Sequence, residues 1–137
     1  MQDRIAEIRK RNPSALPAWL GARQRDPGWY RASWQIDGGI APEDAARPAV
    51  LVLKWLARHG LLTTQGAQAV RASGSKPADV ELTRLMVTPR GAAFLDRAWE
   101  QWWSTAGINV AMGPENEPSA AEALDRLWHD FGRAAAT

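Results

Sequence analysis

Cysteine is missing from all 137 residues, so neither a disulfide framework nor a thiolate metal site can form. Histidine is nearly missing: His59 and His129 stand 70 positions apart, without acids at ligand spacing, and no metal or cofactor is expected. Long apolar runs are also lacking. AVLVL at 49–53 falls far short of the roughly 20 residues that span a bilayer, and no membrane partner is expected. The opening MQDRIAEIRKRNPS has no apolar stretch behind its charges, which predicts neither a signal peptide nor a transit peptide. No G-x-x-x-x-G-K phosphate loop occurs. Ser73-Gly-Ser-Lys76 has S-x-x-K spacing without that chemistry's partner motifs, and the carboxylates Glu115 and Glu117 have no acid/base partner. The expectation is a non-enzymatic, soluble cytoplasmic protein.

What the chain does have is tryptophan, eight residues against one Tyr and two Phe. So many large rings either fill one core or leave some at an interface, where Trp serves as an anchor. Charge is also uneven. Residues 1–34 carry seven Lys/Arg against three Asp/Glu, residues 35–91 seven against five, and residues 92–137 three against seven. A basic front and an acidic end point to a polyanion for the first two-thirds and a separate role for the last third.

Patterning predicts mostly helices. Asp3–Arg11 and a turn after Ser14 read as short helices ending at Asp26-Pro27-Gly28, while Trp29–Ile36 suits a strand or a short helix. A helix starting at Ala41-Pro42-Glu43-Asp44 either kinks at Pro48 or restarts there, and it ends at His59-Gly60. Its apolar face is Val50, Leu53 and Leu56; Arg47, Lys54 and Arg58 form a basic stripe beside it. Leu61–Gln65 reads as a strand, 66–79 as a loose loop bearing Arg71 and Lys76, and Val80–Val87 as a strand returning to the first. Thr88-Pro89 opens a helix over 90–103, 105–118 is a Gly/Pro-bearing connector, and Ser119-Ala-Ala-Glu122 is a capping box for a last helix.

The words LKWLARHGLL (53–62) and LMVTPRGAAFLD (85–96) resemble, in their order and in the loop between them, a winged helix-turn-helix domain of the MarR or PadR type. The resemblance covers roughly residues 42–100. It implies a mainly α fold with a small two-stranded antiparallel β wing, a domain over 1–104 with an N-terminal helical extension, a connector at 105–118, and a helix at 119–137 packing on the same domain or on a partner. It also implies a non-catalytic DNA-binding or DNA-associated regulatory protein. Arg47, Lys54 and Arg58 would face double-stranded DNA from the helix, and Arg71 and Lys76 from the wing. The stripe has no Asn, Gln or Ser for base edges, so its contacts would be to phosphates first. The alternative is a protein-interaction module, an adaptor, inhibitor or immunity-type protein, that meets a second copy or another protein through Trp99, Trp102, Trp103 and Trp128.

Overall fold

The computed structural model describes residues 28–136; the short helices expected before Gly28 lie outside the described residues. The ambiguous segment after Gly28 turns out to be both kinds of element. Gly28–Arg31 is strand β1, and Ala32–Asp37 is helix α1. Helix α2, Pro42–Arg58, starts with Pro42 in its first turn and Glu43 and Asp44 at the positive end of its dipole. It runs through the buried Pro48 without restarting. Its end is a Schellman cap: Gly60, at φ +68°, donates to the Ala57 carbonyl and Leu61 donates to that of Leu56. A side chain is strained at that φ, so the glycine lets the chain reverse here.

Leu62 then makes a single antiparallel bridge with Val87, flanked by Thr63 N–H to the Met86 carbonyl (3.0 Å) and Thr88 N–H to the Leu61 carbonyl (2.8 Å). The two words that carry the family resemblance therefore touch. Gly91 completes the junction, because a Cβ there would lie 3.2 Å from the Leu61 carbonyl oxygen. Between the two words, however, the expected hairpin is not built. Thr63 caps helix α3, Thr64–Ala72, by accepting from the Gly66 N–H, and a 3-10 turn follows at Pro77–Asp79. Ala, Gln and Arg are good helix formers, and with a threonine cap they outweigh the loop-like look of the composition.

Strand β2, Glu81–Thr83, pairs with β1 and not with 61–65. The register sets Tyr30 opposite Leu82, both buried, with an irregularity between Gly28 and Tyr30. The fold is thus mainly α with one small two-stranded antiparallel sheet, but the strands come from 28–31 and 81–83.

Helix α4, Pro89–Trp102, is capped by Thr88, whose hydroxyl accepts from the Gly91 N–H at 3.1 Å. The expected connector is largely helical: a π-turn at Trp103–Gly107, helix α5 at Ile108–Met112 and a 3-10 turn at Pro114–Asn116. The last helix, α6, spans Glu117–Ala136, which puts Ser119 inside its first turn and not at the cap. It packs on the same chain. Ala120 and Leu124 join Val52, Leu53, Trp55, Leu56, Phe94, Leu95 and Trp102 in one core.

Candidate functional site

The tryptophans divide at the π-turn. Trp102 is fully buried, with its indole N–H donating to the Ala120 carbonyl at 2.9 Å, so it is a core residue and not a partner anchor. Trp103, the next residue, turns toward the sheet. Gly107 permits the wide turn, since a Cβ there would come within 2.5 Å of Trp102 Cζ3 and 2.8 Å of Trp103 Cε3. Trp103 stacks on Trp99 at 6.0 Å and 15°, and both pack against Tyr30, at 5.1 and 6.1 Å. Tyr30 is fixed by donating its hydroxyl to the Ala45 carbonyl at 2.6 Å, and burial pushes its pKa up to about 12. Trp34, on α1, meets Tyr30 edge-on at 6.3 Å and remains 50% exposed. Arg84, paired with Asp96, covers Trp29 at 4.9 Å.

The expected basic stripe breaks up. Arg47 is turned inward: it donates to Asp44 Oδ1 at 2.6 Å and to the Val110 carbonyl at 3.0 Å, and its Nε stands 3.8 Å from Glu117. It ties α2 to α5 and to the start of α6. Lys54 and Arg58, one turn apart, are exposed and have no ionic partner among the described residues. Arg71, near the end of α3, and Lys76, just before the 3-10 turn, are exposed too, but on helix and turn and not on a hairpin tip.

A second ring cluster forms where α2 ends, α4 begins and α6 crosses. His59 lies 4.1 Å from Trp55 and 5.6 Å from Trp128. Asp125 accepts from the Trp55 indole at 2.8 Å and stands 3.9 Å from His59 Nε2. Arg90 sits over Trp128 at 5.1 Å and Phe131 at 5.5 Å. An open groove of about 530 Å³ here is lined by Arg90, Asp125, Trp128, His129, Gly132 and Arg133.

Of the residues singled out from sequence, Trp99 and Trp103 come together, Trp128 joins the groove, and Trp102 and Arg47 go to structural duty. Sequence reasoning missed Trp34 and Arg90. A tryptophan in a six-residue amphipathic turn and an arginine just after Thr88-Pro89 have nothing in their local pattern that marks them.

Ser73 and Ser75 donate their hydroxyls to the Val70 and Ala72 carbonyls, which leaves the S-x-x-K segment as local turn chemistry. Among the described residues no group of three His, Cys, Asp or Glu could hold a metal ion, and no helix is long and apolar enough to cross a membrane. Comparison with protein-family models, with curated proteins and with solved structures gives no match.

Proposed function

We propose that the protein is a non-catalytic, cytoplasmic docking module that binds another protein through Trp34, Trp99 and Trp103. The observation that carries this is Trp34, half exposed at the edge of a ring cluster whose other members are held in place by the sheet and the π-turn. A rigid aromatic group at a partly open site loses little entropy on binding and buries a large area. The test is a pull-down from expressing cells with the intact chain and with Trp34→Ala, in the presence of nuclease. A protein retained at high salt and lost with Trp34→Ala supports the reading. Retention that is unchanged by the substitution, or abolished by nuclease, refutes it. Sedimentation of the purified chain adds the second copy as a defined outcome: a dimer broken by Trp34→Ala makes the partner the chain itself.

A second reading has its own observation. Lys54 and Arg58 are exposed one turn apart with no ion-pair partner among the described residues, which suits a phosphate backbone. DNA association predicts duplex binding that weakens steeply with salt and drops when Lys54 and Arg58 become Glu. Absence of binding at low salt sinks it. The docking module is preferred because Arg47 is committed inside the fold and the hairpin that would have followed the DNA is replaced by α3.

A further inference from the structure

We infer that the groove between the start of α4 and α6 is a carboxylate-binding cleft that takes an acidic peptide segment, with Arg90 as its main anchor. The inference rests on the docking reading and adds the chemistry of a second contact, built on rings that share no stacked pair with the Trp34 cluster.

Arg90 is set apart by its two ring contacts at the groove, combined with the lack of a carboxylate partner among the described residues. Arg47, Arg84 and Arg133 each meet a carboxylate, whereas Arg90 meets only the rings of Trp128 and Phe131 among the described residues. A guanidinium held over rings through its cationic face does not use up its N–H donors, which remain able to grip a carboxylate with two parallel hydrogen bonds. Ordering the side chain beforehand removes a cost that binding otherwise bears.

The acids nearby are already engaged. Asp125 accepts from the Trp55 indole and faces His59, and Asp130 is held by Arg133 at 3.0 Å. The lining is apolar at Trp128 and open at Gly132, where an added Cβ would meet nothing within 4 Å, so a large side chain there has room to extend into the groove. About 530 Å³ is too roomy for one small anion and suits a carboxylate carried next to an apolar side chain. The apolar surface of Trp128 in the lining suits a side chain carried beside the carboxylate better than the bare phosphate backbone of a duplex.

The test is fluorescence anisotropy of the full chain with a short labelled peptide of alternating Glu and Leu, its Gln/Leu counterpart, and a labelled single-stranded oligonucleotide. The Glu/Leu peptide is expected to bind best. Arg90→Gln should weaken it at least about tenfold, the scale of a lost charged hydrogen bond. Gly132→Leu, which favours helix and extends into the groove, should weaken it by a similar factor while leaving thermal unfolding intact. Trp34→Ala should leave this binding unchanged, so loss of the tryptophan-face partner and loss of the peptide are separate results. No peptide binding, equal affinity for the Gln/Leu peptide, preference for the oligonucleotide, or indifference to Arg90→Gln overturns the inference.

Discussion

Substituting Gly66 by alanine separates the packed helix α3 from an open, flexible wing by the sign of its effect. Gly66 is buried in the first turn of α3, against the strand-like stretch ending at the Leu62–Val87 bridge. A Cβ on it would lie 3.1 Å from the Met86 carbonyl carbon, nearer still to its oxygen, and 2.9 Å from Leu62 Cδ2. The Met86 oxygen cannot easily retreat, because it accepts the Thr63 N–H at 3.0 Å. On propensity alone, Gly→Ala in a helix gains at most about 1 kcal/mol. Overpacking against backbone costs about 1–3 kcal/mol, and the bridge must shift as well. The net expectation is a loss of about 1–2 kcal/mol, or several degrees in thermal midpoint. Gly74→Ala is the control, since its Cβ would meet nothing within 4 Å and its effect should be within about 0.5 kcal/mol of zero. Differential scanning calorimetry of the three proteins reads both. A Gly66→Ala protein as stable as the parent, or more so, would mean that α3 does not pack on the Met86 backbone.

Tyr30 predicts an alkaline weakness. Its pKa is raised from 10.0 to about 12 by burial, so below pH 10 both folded and unfolded chains hold the phenol proton and its contribution is constant. Between pH 10 and 12 only the unfolded chain releases it, and stability should fall by up to roughly 3 kcal/mol. Urea unfolding across this range should show the slope in the parent and a shallower one in Tyr30→Phe; identical slopes would reject the assignment. Trp102→Ala should cost about 3–5 kcal/mol, as expected for emptying a fully buried ring site that also loses its bond to Ala120, whereas Trp34→Ala should cost less than about 1.5 kcal/mol. Equal losses in chemical denaturation would contradict the division of the tryptophans. Arg47→Ala should cost about 1–2 kcal/mol through its lost bonds to Asp44 and Val110, after allowing for the solvent around both carboxylates. An unchanged unfolding midpoint would return Arg47 to the surface stripe.

The parts that were legible in the sequence are those written in consecutive residues. Gly60 as the stop of α2, Thr88-Pro89 as the start of α4 and the buried face of Leu53 and Leu56 all follow from caps and spacing, and each is where the pattern put it. The pairing of β1 with β2 was not legible, since it joins Tyr30 to Leu82 across some fifty residues while Leu62 looked like the nearer partner. In the sequence, Trp99, Trp102 and Trp103 group as one set of partner contacts. Adjacent residues on a helix point about 100° apart, so the Trp102 ring enters the core while its neighbour Trp103 joins the Tyr30 cluster, and only the tertiary packing decides which does which. The groove depends on α6 reaching Trp128 and Phe131 to Arg90, a contact spanning about forty positions that no local window contains.

Arg47 and Arg90 show why the sign of a charge is a weak guide to its use. Both are arginines in the early part of a long helix. Arg47 faces two carboxylates and a backbone carbonyl, so turning it toward a phosphate would leave Asp44 and Glu117 without their cation and take from the Val110 carbonyl one of its two donors, the other being the Gly113 N–H. Any ligand claiming it must first make up that loss. Arg90 rests on two rings whose attraction for a cation does not use its N–H edge, so an incoming carboxylate adds bonds and breaks none. Anion affinity should therefore be concentrated at the α4–α6 groove, with Lys54 and Arg58 as weaker contributors. An anionic partner that avoided Arg90 would need a long reach along the outer face of α2 to gather comparable charge.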